Sequence, residues 1–100
     1  MTRRDSGSDV VRVHVRVRGR VQGVGFRYAT REQAERCSVT GWVRNADSPD
    51  IVLAEVQGTQ AAVAQMLAWM RRGPRWARVT ALDVEPGTPI PDDRGFRILR

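Results

Sequence analysis

Val10 to Arg18 reads as a strand, and from Val11 on it alternates without a break. Val11, Val13, Val15 and Val17 fall on one side, and Arg12, His14, Arg16 and Arg18 on the other. A period of two is the side-chain period of a β-strand, and one apolar face means a strand in a sheet covered on one side. The valines are predicted to meet helices. The polar set is predicted to meet water or a partner, with His14 an exposed surface histidine.

This strand runs into Gly19-Arg20-Val21-Gln22-Gly23-Val24-Gly25-Phe26-Arg27, which holds three glycines and no proline. Glycine lets the backbone take φ > 0 and approach a ligand closely. Successive N–H groups in such a turn can converge on an anion, and a helix starting near Phe26 adds its unpaired N–H groups and dipole. Arg27 sets a permanent planar cation beside them. The stretch therefore reads either as a phosphate or carboxylate cradle or simply as a strand-to-helix connection. It is neither a Walker loop, since no Gly-Lys-Ser/Thr follows, nor the dinucleotide fingerprint, since glycines at 19, 23 and 25 are wrongly spaced.

The remaining elements follow from periodicity and punctuation. Phe26, Thr30, Ala34 and Cys37 recur at helical spacing, predicting a helix from Phe26 to about Cys37, with Cys37 a small core residue rather than a nucleophile. Ser38 to Asn45 reads as a second strand, Ala46 to Asp50 as a turn, and Ile51 to Val56 as a third strand. The third strand turns Val52, Ala54 and Val56 inward and forms a hairpin with the second. Thr59 is a candidate N-cap for a helix with a Val63, Met66, Leu67, Met70 stripe, stopped by Arg71-Arg72-Gly73-Pro74. Trp76 to Glu85 predicts a fourth strand, centred on Val79, Leu82 and Val84. Pro86 to Asp93 predicts a loop, and Phe96 with Ile98 a short final strand. The order β-α-β-β-α-β is the ferredoxin-like α+β plan, an antiparallel sheet with both helices on one face.

Composition narrows the function classes. One hundred residues with one cysteine and one histidine make a single domain without an intrachain disulfide or a Cys/His metal cluster. The lone cysteine fits a reducing cytoplasm. No apolar run is of membrane-spanning length, and nothing resembles a signal peptide. Residues 1–9 read as a disordered tail and 10–100 as the folded domain. All 17 basic residues are arginines, and the net charge is +6, which suits an anionic substrate, a nucleic acid or only a solvated surface.

The stretch from Gly19 to Arg27 resembles the first signature of the acylphosphatases, and Gly41-Trp42-Val43-Arg44-Asn45 the start of their second, in a likeness running from about Val11 to Ile98. The resemblance implies a ferredoxin-like fold and metal-independent, cofactor-free hydrolysis of acylphosphates. It assigns Gln22, Gly23, Val24, Gly25, Phe26 and Arg27 to phosphate binding. Arg27 would hold the phosphoryl oxygens, and Asn45 would position the attacking water. A monomer without membrane or nucleic-acid partners is expected. The family pattern breaks after Asn45. Pro49 and Ile51 stand where glycine and valine are expected, and Gly58 comes one residue late, consistent with a one-residue insertion in the hairpin turn. Two alternatives share the fold: a nucleic-acid-binding module using the open sheet face, and an accessory domain handling carbamoyl phosphate. The first lacks aromatic residues in the first and third strands.

Overall fold

The computed structural model describes residues 10–100, so the expected tail over residues 1–9 lies outside the described residues. The elements are β1 (Val10–Arg20), α1 (Phe26–Cys37), β2 (Thr40–Asn45), β3 (Ile51–Thr59), α2 (Gln60–Arg72), β4 (Arg78–Pro86) and β5 (Phe96–Ile98). The sheet order is β4-β1-β3-β2-β5. Four strands pair antiparallel as expected. β5 pairs parallel with β2, so the sheet is mixed rather than wholly antiparallel.

Register places the core. Val15 and Val17 of β1 face Ala54 and Val52 of β3, and Val43 of β2 faces Ala54. Residues directly opposite share a face. These five, with Val56, are fully buried against Phe26, Ala34, Val63, Met66 and Met70 of the two helices. Burying each large apolar side chain contributes roughly 1.5–3 kcal/mol, so the helix stripes and strand faces fix one another. Thr59 caps α2 by accepting from the Ala62 N–H at 3.1 Å. Gly73 ends that helix at φ 71°.

Four strands differ in their bounds from the sequence expectation, among them β3, which runs on past Val56 to Thr59. β1 continues past Arg18 to Arg20, through a shift in register against β4 at Arg18/Gly19. Gly19 sits there at φ +139°, and a Cβ on it would lie 2.0 Å from the Arg78 carbonyl oxygen. This glycine serves sheet packing rather than the loop beyond. β2 begins at Thr40 rather than Ser38, because Ser38 is the left-handed C-cap of α1. β4 starts at Arg78, two residues later than expected, and as an edge strand it leaves Val84 exposed.

The polar face of β1 also departs from expectation at one end. Arg12 is buried, its side chain only 3% exposed. The segment between β4 and β5 crosses the sheet above it. The Gly87 N–H donates to the Arg12 carbonyl. Asp93 Oδ2 accepts from Arg12 Nη1 at 2.9 Å, and Glu55 Oε1 accepts from its Nε at 2.7 Å. The Gln57 amide exchanges two hydrogen bonds with the backbone of Ile90 and accepts a third from Arg12 Nη1 at 3.0 Å. Strand parity assigns a residue to a face, but it carries no information on a distant loop that returns over that face. His14 is half-buried beside Glu55 and Trp42.

Candidate active site

The connection between β1 and α1 alternates in burial. Val21 and Phe26 are buried and Val24 is half-buried, whereas Gly23 and Gly25 are exposed. The apolar side chains nail the loop to the core and leave its backbone outward. Gly23 (φ 74°) and Gly25 (φ 79°) are left-handed. A Cβ at either would meet nothing within 4 Å. Backbone conformation, not crowding, therefore requires glycine at both places. Alternating hand turns successive N–H groups toward one side, the geometry of an anion nest.

Gly25 is also the N-cap of α1, and it offers the helix no side-chain hydrogen bond. The first turn holds no acidic residue. Helix N-termini usually recruit Ser, Thr, Asp or Asn to satisfy their free N–H groups. Here those groups stay available, in a field that favours negative charge.

Arg27 follows at the second position of α1, half-buried, with Nη1 donating to the Leu99 carbonyl at 3.2 Å. The Leu99 N–H in turn donates to the Val43 carbonyl at 2.8 Å. The guanidinium is thus tied to the end of the sheet where β2 finishes, two residues before Asn45. The sequence carries no sign of Leu99 in this role, since any residue supplies a backbone carbonyl.

Asn45 ends β2 opposite Val52, which is itself opposite Val17. Its side chain therefore lies on the helix-facing side of the sheet, at the end from which the loop leaves. Asn45 Oδ1 is buried without a hydrogen-bond partner in the protein, the one such atom among the described residues. Leaving a buried acceptor unmatched costs roughly 1–3 kcal/mol, so an orphan of this kind marks a place meant for a donor from outside the fold.

Gln22 behaves differently from the rest of the loop. Its side-chain nitrogen donates to the carbonyls of Ala46, Ser48 and Ile51 at 3.1, 3.0 and 2.8 Å. Its amide is therefore committed to the β2–β3 turn that follows Asn45. Loop, Arg27 and Asn45 thus lie at one end of the fold, joined through Gln22 on one side and Leu99 on the other. The arrangement can hold a tetrahedral anion by backbone N–H groups and one guanidinium, with a hydrogen-bond acceptor beside it.

A groove of about 810 Å³ lies on the opposite, open face of the sheet. Arg16 and Arg44 line it together with Asp47, Asp83 and Glu85. Its mixed charge does not make the continuous basic track that a nucleic-acid backbone needs. Among the described residues no group of three or more His, Cys, Asp or Glu is placed to hold a metal, and no helix is long and apolar enough to cross a membrane.

The acylphosphatase family model matches residues 13–98. An acylphosphatase of Roseiflexus sp. is 43% identical over 91 residues, covering 91% of this chain and 97% of that protein. One of Nocardioides sp. is 47% identical over 94 residues, covering 93% and 89%. The solved acylphosphatase structure of Coxiella burnetii superposes with a TM-score of 0.85 at 31% identity, over 97% of this chain and all of that one. A nest of backbone N–H groups, an adjoining arginine and a buried amide acceptor are what a phosphoryl group and its attacking water would need, and by fold and sequence alike this chain belongs to the acylphosphatase family.

Proposed function

We propose that the chain hydrolyses the carboxyl–phosphate bond of acylphosphates to carboxylate and inorganic phosphate, by in-line attack of water and without a metal. The observation that carries this reading is the uncapped N-terminus of α1, where left-handed Gly23 and Gly25 present backbone N–H groups beside Arg27. Phosphoryl transfer asks a protein chiefly for positioning and for stabilisation of charge on the equatorial oxygens. The loop from Gln22 to Phe26 supplies donors along its backbone, and Arg27 supplies a charge-assisted pair. Water attacks phosphorus, the bond from phosphorus to the carboxyl oxygen breaks, and the electron pair leaves on the carboxylate. A carboxylate departs without being protonated, so no general acid is needed. Asn45 Oδ1 accepts a hydrogen bond from the attacking water and so fixes its approach. The enzyme acts as a monomer in the cytoplasm, where its one cysteine, Cys37, stays reduced.

Benzoyl phosphate hydrolysis in the presence of EDTA tests this. Full turnover is expected with the chelator, and Asn45→Ala should lose about 10²-fold in kcat, the range for removing one preorganised hydrogen-bonding group. A folded wild type without activity overturns the reading and returns a binding role to consideration. Because the site grips the phosphate rather than the acyl group, acetyl and benzoyl phosphate should differ by less than about tenfold in kcat/KM, roughly 1.4 kcal/mol. A difference of several orders of magnitude would instead reveal an acyl pocket.

A further inference from the structure

The geometry points to Gln22 as a positioning residue for Asn45 rather than a ligand of the substrate through its side chain, an inference that rests on the acylphosphatase reading. Three backbone carbonyls of the β2–β3 turn converge on its amide nitrogen: Ala46, Ser48 and Ile51. The turn closes on itself through only two backbone bonds, Ala46 N–H to Ile51 O and Ile51 N–H to Ser48 O. Both carbonyls that accept those bonds also accept from Gln22. An amide carries two protons, so three carbonyls at 2.8–3.1 Å share them, one proton being split between two acceptors. Converging carbonyl oxygens repel one another, and a donor at their centre is what lets the turn stay tight. From the other side, the Gly19 N–H donates to the Asp50 carbonyl at 2.9 Å. The end of β1 and the turn after Asn45 therefore form one hydrogen-bonded unit.

Asn45 is the residue immediately before this turn. Its backbone is held by β2 on one side and by the turn on the other. Its Oδ1 stays buried and unmatched only while both sides hold. Pro49, exposed in the turn, removes one N–H that could otherwise have braced it. Gln22 thus links the register of the phosphate loop to the position of the water-holding amide. The backbone of Gln22 remains part of the loop; its side chain serves the turn.

The test separates position from phosphate binding. In Gln22→Met, which keeps the length of the side chain but has no N–H, kcat for benzoyl phosphate should fall at least tenfold. Competitive inhibition by inorganic phosphate should move by less than threefold. In an Asn45→Ala background the same change should cost less than about twofold further, because the group it positions is gone. Gln22→Asn keeps the amide but is one methylene too short to reach, and it carries the same expectations should the methionine variant not fold. The inference is overturned by a kcat within twofold of wild type, by a phosphate inhibition constant that weakens as much as kcat, or by losses that multiply fully in the double variant. Inactivity of the folded wild type would instead remove the acylphosphatase reading itself.

Discussion

Arg27→Ala is expected to lower kcat/KM for benzoyl phosphate by at least three orders of magnitude while leaving the fold intact. The side chain stands on the first turn of α1 and uses one of its five N–H donors on the Leu99 carbonyl. The others remain free to meet phosphoryl oxygens, whose charge must be matched as the carboxylate leaves. A single well-placed arginine is worth about 10³–10⁵ in kcat in comparable phosphoryl transfers. The structural cost should be small, because the bond to Leu99 is solvent-exposed and exposed substitutions usually fall within about 0.5 kcal/mol. Arg27→Lys should recover only a minor part of the loss: a lysine ammonium cannot keep a bond to Leu99 and still present a planar pair to two oxygens. Steady-state kinetics with phosphate as competitive inhibitor, alongside a thermal melt, decides the matter. A loss below tenfold, or one that merely follows unfolding, would place the charge-stabilising role elsewhere.

The parts of the molecule legible in its sequence are those fixed by local pattern. The Val11–Val17 alternation, the Phe26-Thr30-Ala34 stripe, Thr59 as N-cap and Gly73 as terminator all depend on near neighbours, and all recur in the fold. The glycines at 23 and 25 were legible too, because positive φ is a local demand. What escaped is what only tertiary structure creates. Gln22 reads as one more loop residue until the β2–β3 turn, 24 to 29 positions later, delivers carbonyls to it. Leu99 enters through its backbone, so its side chain gives no signal. Gly19 looks like part of the loop, yet its lack of a Cβ answers to the Arg78 carbonyl. Arg12 obeys strand parity but is covered by a segment 81 positions away.

That last departure yields the largest expected effect on stability. Arg12→Met should destabilise the protein by about 3–5 kcal/mol at pH 7, the cost of removing one partner from a buried ionic cluster. The methionine fills the volume, so the loss comes from what is left behind. Asp93, its side chain 10% exposed, loses its charge partner, and Gln57 and Glu55 each lose a donor. At about 4–8 °C per kcal/mol for a domain of this size, the melting temperature should drop by roughly 12–40 °C. The cluster sits at the start of β1, and the phosphate loop leaves its far end, so kcat of the folded variant should stay near wild type. The dependence on pH gives a second, signed check. Burial disfavours the Asp93 carboxylate, but the hydrogen bonds from Arg12 and Thr40 and the charge of Arg12 outweigh it, holding its pKa below the ordinary 3.8. A depressed carboxylate contributes stability above its unfolded pKa and loses it as pH falls through its folded pKa. Arg12 supplies both a hydrogen bond and the charge behind that depression; without it only the hydrogen bonds from Thr40 and the Arg94 backbone oppose burial, and the Asp93 pKa moves up. The wild type's advantage should therefore shrink as pH falls below the ordinary 3.8 toward the lower folded pKa of Asp93, since protonation removes the buried charge that the Arg12→Met variant leaves unpaired. Urea titrations at pH 7 and pH 3 measure both stabilities. A gap under 1 kcal/mol at pH 7, or one that widens at pH 3, would show that the strap over Arg12 is held by its backbone contacts and not by the ionic cluster.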